Sequence, residues 1–337
     1  MELIKKSAPQ YKANLHCHST FSDGKLTPEE LKKAYKDQGY SVLAITDHEY
    51  PKDHSDMTDD DFLMLTGYEA YIRKFENGCG DVLIPEIHIN LIAKDPHTVD
   101  YIGWNDQYCK YAKDPEVRAA FNKVGSLETR RYDIEYINMF VRTAREHGYL
   151  CTHNHPVWSL EDWNMIAEYE GFFSMEMCNW SSYLLNGLEY NANLYDYLCR
   201  KGKRIFCHSA DDNHNGYPFG APGCDSFGGF AMIMADKLDY PSVIKALEDG
   251  SFYSSMGPVI HSLSIADGKV HIECDGAKQI TLHVGGRSTP HVFGTRENPI
   301  YEAEIDIPKV HKYVRVSVMD FDGKCADTRA FFPEEFN

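Results

Sequence analysis

The 337-residue chain lacks any run of about 18 apolar residues, so no segment reads as a membrane-spanning helix. Its first residues, MELIKKSAPQYKANLH, carry two lysines but no apolar core of a secretory leader, and export is not expected. Cationic side chains are scarce: 34 Lys and Arg stand against 51 Asp and Glu, a formal charge of -17. Such a surface repels polyanions, which argues against duplex nucleic acid as the main partner. The ten cysteines include no C-x-x-C spacing and read as reduced thiols in a cytoplasmic protein. Hydrophobic residues at 43% and charged residues at 25% exclude disorder and fibrous repeats.

What the chain does have is histidine, 16 of them, together with the carboxylates. The elements that carry them read as an α/β alternation. Thr27-Pro28-Glu29-Glu30 is a capping box opening a helix, Gly39 ends it, and Ser41–Thr46 is an apolar run of strand length. The spacing predicts a second helix from Asp133 to His147, followed by the run Tyr149-Leu150-Cys151. Phe172–Met177 and Arg204–Cys207 read as further strands, and Val243, Ile244 and Leu247 mark another helix. Weak periodicity over 95–132 indicates an insertion or long loop over one face. After Gly257-Pro258 the texture becomes short β runs broken by Asp-Gly and Gly-Gly turns. This divides the chain into an α/β domain at 1–260 and a small antiparallel β domain at 261–337. His261, His271, His283, His291 and His311 of the latter share no spacing or neighbouring acid and read as surface or strand residues.

Five clusters follow apolar runs. His16 and His18 stand at i and i+2, so on a strand both leave one face, a geometry open to a metal pair or to a structural one. Ser22-Asp23-Gly24 follows them. Thr46-Asp47-His48 falls at a strand end, where α/β proteins place their chemistry. Asp47 reads as an orienter of His48 rather than as a ligand. Glu69 and then His88 come next, the latter inside an apolar run where a lone His is more often a hydrogen-bonded core residue. Thr152-His153-Asn154-His155-Pro156 and Asp211-Asp212-Asn213-His214 complete the series. His153 competes with His155, and Asp211 with Asp212, as ligands. Five such clusters on one face constitute a multinuclear metal site.

In their order, His16-Cys17-His18, Ser22-Asp23-Gly24, Thr46-Asp47-His48, Glu69, His155-Pro156 and Asp212-Asn213-His214 resemble the PHP (polymerase and histidinol phosphatase) family of metal-dependent phosphoesterases. Ala246–Tyr253 with Gly257-Pro258, and the β region behind them, look like the subgroup named for carbaryl hydrolase. The resemblance implies a distorted (β/α)7 barrel, extended here by the small C-terminal antiparallel β domain. It further implies up to three divalent transition-metal ions, with Zn, Mn and Fe all suited to such donors. One ion takes His16, His18, Glu69 and Asp212; a second shares Glu69 with His88 and His155; a third takes Asp23, His48 and His214. The expected reaction is hydrolysis of a small phosphate ester, a nucleotide or sugar monophosphate, by a metal-bound hydroxide. Glu69 is then the bridging residue, His153 and His208 are candidate proton donors, and Arg130 and Arg131 are candidate phosphate-binding residues. Hydrolysis of a non-phosphate ester or carbamate, and a non-catalytic metal-binding regulatory module, are the competing readings.

Overall fold

The computed structural model describes residues 1–74, 81–125 and 128–336. Cys79 and residues 126–127 of the insertion lie outside them; the nine described cysteines are free thiols.

The capping box opens the helix Pro28–Asp37 as its residues require: Thr27 Oγ1 accepts from Glu30 N–H at 3.3 Å and Glu30 Oε2 from Thr27 N–H at 2.9 Å. Gly39 follows at φ +74°, a left-handed conformation that a side chain disfavours. The next strand, Val42–Ile45, is buried throughout. The helix Ile134–Glu146, capped by Asp133, buries Ile137, Phe140, Val141 and Ala144. Each large apolar side chain so buried contributes roughly 1.5–3 kcal/mol.

One sheet of thirteen strands holds the site. Gln10–Asn14, Val42–Ile45 and Leu63–Arg73 are parallel neighbours. Leu63–Arg73 then pairs antiparallel with Glu86–Ala93, which pairs antiparallel with Tyr149–Asn154. Parallel pairing resumes through Ser174–Asn179 to Phe206–Ala210. The strands of the expected (β/α)7 barrel would run parallel, and here one reversed strand interrupts them. Gly67 stands opposite Ile92 and Arg73 opposite Glu86, a hairpin register that needs no crossover helix.

Nor does the expected (β/α)7 barrel close by backbone pairing among the described residues. Phe206–Ala210 ends the hydrogen-bonded row, and the contact from it to Phe252–Ser255 is between side chains, Ser209 Oγ to Ser254 Oγ at 2.6 Å. On the other side the row continues antiparallel through Phe230–Met234, Phe252–Ser255, Cys325–Asp327, Arg315–Met319, Gln279–His283 and His291–Phe293. A second antiparallel sheet joins Glu2–Ile4, Ile260–Ala266, Lys269–Ala277 and Ile300–Asp306. Sheet and core both run across residue 260, since Leu43, Ile45 and Met64 pack in one cluster with Leu263, Ile280, Val316 and Val318.

Some histidines of the C-terminal region do find acids that lie far off in sequence. His261 Nε2 is 3.0 Å from Asp275, and His283 Nδ1 is 3.4 Å from Asp196. The described residues of the 95–132 segment carry more regular structure than their periodicity suggested. It contains the strand pair Asp100–Ile102 and Asn122–Val124, the helix Pro115–Ala120 and a small core of Tyr101, Trp104, Cys109 and Ala112. Among the described residues, no helix is long and apolar enough to cross a membrane.

Candidate metal centre

Eight of the nine candidate ligands are delivered by a strand or by the turn after it, and Asp23 lies in the loop between His18 and the helix at Pro28. His16 and His18 follow Gln10–Asn14 with both rings fully buried. His48 follows Val42–Ile45, Glu69 lies within Leu63–Arg73, and His88 lies within Glu86–Ala93. His155 comes directly after Tyr149–Asn154, and Asp212 and His214 come after Phe206–Ala210. His155 at φ +26° and Asp212 at φ +52° occupy left-handed conformations that non-glycine residues rarely adopt, strain of the kind that collects at functional sites. Gly24 is required by close approach, because a Cβ there would sit 2.3 Å from the His18 carbonyl oxygen.

Glu69 is the hub. Its Oε1 lies 3.2 Å from His16 Nε2, 3.1 Å from His88 Nδ1 and 3.4 Å from His155 Nε2. Its Oε2 lies 2.8 Å from His48 Nδ1 and 3.5 Å from His18 Nε2. Asp212 Oδ1 lies 2.9 Å from His18 Nε2 and 3.1 Å from His16 Nε2. Asp23 closes the outer end, 3.4 Å from His214 Nε2 and 3.7 Å from His48 Nε2. All nine candidate ligands therefore meet. They form overlapping groups of metal-binding size: His18, Asp23, His48 and His214; His16, His18 and Glu69; His16, His155 and Asp212; His48, Glu69 and His88. The grouping differs from the expected one in three respects: His18 also joins the outer group, His48 also joins Glu69 and His88, and His155 sits with His16 and Asp212 as well as near Glu69.

The donor set fits cations. Glu69 Oε2 and Asp212 Oδ1 are buried without a hydrogen-bond partner, a costly state for a carboxylate oxygen that no ion satisfies. His16 Nε2 and His18 Nε2 are only 3.2 Å apart, both aimed at those carboxylates. The opposite ring nitrogens are occupied. His16 Nδ1 is 2.7 Å from Glu176, His155 Nδ1 is 3.1 Å from Ser159 Oγ, and His214 Nδ1 is 3.0 Å from the Asp212 carbonyl. That arrangement fixes which nitrogen is free to ligate.

Electrostatics agree. Burial opposes ionisation of Glu69, but the imidazoles of His16, His88 and His48 outweigh it and hold the carboxyl well below the usual range. Asp212 is held down in the same way, with His16 and His18 overcoming burial. His18 is pushed down to about 3 by burial and by the neighbouring His214 and His48, so it is neutral and its lone pair is available. His88 is raised to about 10 because Glu69 and Glu86 outweigh its burial, and a cation would occupy that same carboxylate field.

Several other candidates are placed elsewhere. Asn154 Nδ2 donates to Glu69 at 2.9 Å, so its neighbour His153 leaves the opposite face of the strand, where Nε2 meets Glu161 at 2.7 Å beside Tyr169. His153 is therefore neither ligand nor proton donor at the cluster. His208 is fully buried on Ser174 Oγ at 2.8 Å and has no surface to offer a leaving group. Arg130 is buried, with its donors taken by Glu49 and by the carbonyls of Tyr71, Ile102 and Gly103, so none is left for a phosphate. Arg131 is exposed and bound to Asp133 at 3.1 Å. Asp47 anchors the loop after His18 through Ser19 and Ser22 rather than orienting His48. Asp211 accepts from the N–H groups of Phe227, Gly228 and Gly229, which excludes it as a ligand and leaves Asp212.

Sequence reasoning passed over Glu176, whose two oxygens hold His16 Nδ1 and the His155 N–H, and Asn179, which links Glu176 to Asp212. Their signal was present, since an acid between Met175 and Met177 in an apolar strand needs a buried partner.

Residues 14–124 match the PHP domain family. This stretch is similar to a PHP domain. It carries His16, His18, Asp23, His48, Glu69 and His88, while His155, Asp212 and His214 lie beyond the matched range. A 38-residue stretch is 55% identical to a 5′-3′ exoribonuclease of Haemophilus influenzae, spanning 11% of this chain and 14% of that protein. Among solved structures, a two-domain Bacteroides vulgatus protein containing a predicted PHP-like metal-dependent phosphoesterase is 14% identical at a TM-score of 0.46, over 97% of this chain and 96% of its own. An amidohydrolase from Chromobacterium violaceum, with bound sulfate and no metal, is 16% identical at a TM-score of 0.41, over 60% of this chain and 87% of its own.

Proposed function

We propose that the protein is a metal-dependent hydrolase of a small phosphate ester. The carrying observation is the convergence of five imidazoles on the Glu69 carboxylate within 3.5 Å, with Asp212 beside them and Asp23 at the outer end. His16, His18, Glu69 and Asp212 would hold one ion, Glu69, His88 and His155 a second, and Asp23, His48 and His214, with His18 adjoining, a third. When bound, such ions acidify water toward neutral pH and neutralise phosphoryl oxygens, supplying about +6 against three acidic ligands.

The chain's own residues bind and orient. A protein of formal charge -17 repels a dianion everywhere except where this charge is inverted. Substrate meets the outer group, where Asp23, His48 and His214 have side chains 35%, 17% and 33% exposed, while His16, His18 and Glu69 stay enclosed. Glu176, Ser159 and the Asp212 carbonyl hold the ligating imidazoles in orientation. The PHP match and the short identity to an exoribonuclease both support a phosphoester rather than a carbonyl substrate.

The test is elemental analysis after reconstitution with Zn, Mn or Fe, coupled to assays on p-nitrophenyl phosphate, its bis-ester and p-nitrophenyl acetate. More than one ion per chain is expected, with phosphate ester hydrolysed, millimolar phosphate inhibitory, and turnover lost in Glu69→Gln and Asp212→Asn with folding retained. A metal-replete protein that cleaves only the acetate and ignores phosphate overturns the reading.

A further inference from the structure

A large aromatic ring stands partly in solvent against the ligands. After His155, the chain turns through Pro156, and Ser159 N–H donates back to the His155 carbonyl at 3.1 Å. This brings Trp158 edge-to-face against the ring three residues before it: the indole lies 5.0 Å from His155 at 82° and 5.6 Å from His88 at 73°. The Trp158 backbone N–H donates to Glu189, a carboxylate only 2% exposed and itself in a left-handed conformation at φ +65°. Burying an anion to hold one turn is unfavourable unless its hydrogen bonds are well made, and Glu189 also accepts from Asn191. Yet 40% of Trp158 remains exposed, so the turn is not explained by burial of the indole. Across the cluster, the Tyr111 ring lies against His48, and Tyr71 flanks His88. Aromatic rings therefore flank the metal centre at His48, His88 and His155.

We propose that Trp158 is the stacking platform for a planar aromatic part of the substrate. The substrate class is then a phosphate ester bearing a nucleobase or an aryl group rather than a polyol phosphate. This rests on the phosphoester reading above. An aromatic side chain with few rotatable bonds beside the reacting group loses little entropy on stacking, and stacking is indifferent to hydrogen-bond pattern, so both ring types share the same chemistry.

The experiment compares wild-type, Trp158→Ala and Trp158→Phe proteins, reconstituted with metal and checked for equal metal content. Their kcat/KM values are measured on adenosine 5′-monophosphate, p-nitrophenyl phosphate and glycerol 3-phosphate. Relative to glycerol 3-phosphate, preference for an aromatic ester should fall roughly 5- to 150-fold in Trp158→Ala, with most of it restored in Trp158→Phe. A fall with adenosine 5′-monophosphate alone assigns a nucleobase, and one with p-nitrophenyl phosphate alone an aryl group. In parallel, quenching of tryptophan fluorescence by adenosine 5′-monophosphate and by p-nitrophenyl phosphate is followed by titration, and the quench should disappear in Trp158→Phe. A protein that hydrolyses none of the three esters but shows that Trp158-dependent quench keeps the platform and loses the phosphoester reading. Equal losses on all three substrates, an unchanged preference, or a quench retained in Trp158→Phe overturns the platform.

Discussion

The Tyr111 hydroxyl donates to Asp23 Oδ2 at 3.2 Å, and its ring lies nearly parallel to the His48 imidazole, 6.1 Å away at 16°. Tyr111 belongs to the 95–132 insertion, and Asp23 and His48 belong to the outer ligand group. The insertion is tied to the same region a second time, because Arg130 binds Glu49, the residue after His48, whose N–H donates to the Glu69 carbonyl at 2.7 Å. An excursion that covers one face thus also helps to hold an acidic ligand in place.

Tyr111→Phe removes that single hydrogen bond and keeps the ring. A hydrogen bond to a charged group is worth about 1.5–3 kcal/mol, so affinity at the weakest-binding ion position should fall roughly tenfold or more while the others change little. Equilibrium dialysis against buffered zinc measures this directly. Equal affinities at every position in the two proteins would detach Tyr111 from ion binding.

Glu176 supports the opposite end of the centre. Glu176→Gln keeps the shape but weakens the acceptor facing His16 Nδ1 and the His155 N–H. Partners of this kind are worth about 10–100-fold in metal affinity. The loss should appear in competition with a chromophoric chelator while circular dichroism stays unchanged. Retained affinity would make Glu176 a packing residue.

The ligand motifs were legible because each lies within a few residues of an apolar run, so strand ends and chemistry are adjacent in sequence. Partners separated by long loops were not. Glu176 is 160 residues from His16, and Glu49 is 81 residues from Arg130, distances at which no periodicity or spacing carries information. An arginine beside a helix start reads as solvent-facing until a buried carboxylate is seen to meet it. Strand direction was equally hidden in Glu86–Ala93, whose eight residues are all buried and whose apolar run has the same pattern in either orientation. Tyr111 was invisible for a simpler reason, since it lies in a segment with no apolar period to place it.

Because Arg130 and Glu49 are both fully enclosed, the pair is structural. Arg130→Met leaves the Glu49 carboxylate buried without its cation, which should destabilise the protein by about 3–5 kcal/mol. Adding Glu49→Gln to Arg130→Met should recover part of that loss. Arg131→Ala, at an exposed site, should stay within roughly 0.5 kcal/mol of wild type. Urea midpoints read all three. A stable Arg130→Met protein with a raised KM for phosphate esters would return Arg130 to substrate binding.

His54 gives the fold an acid limit of its own. The residue is 2% exposed, next to Phe21, and its pKa is lowered to about 4, first by burial and then by nearby Lys52. In the unfolded chain the same imidazole takes a proton near its ordinary value of about 6.5. Above that pH both states are neutral and His54 contributes no pH dependence. As pH falls from about 6.5 towards 4, the unfolded state binds the proton first, and stability is lost by up to about 3 kcal/mol. His54→Gln removes this titration whatever it does to the baseline. In chelator-treated protein, the unfolding free energy of wild type should therefore drop more steeply between pH 7 and 4.5 than that of His54→Gln, by about 2–3 kcal/mol. Contributions from the other histidines are common to both proteins and cancel in the difference. Parallel curves for the two proteins over that interval would mean that His54 takes up its proton within the native state.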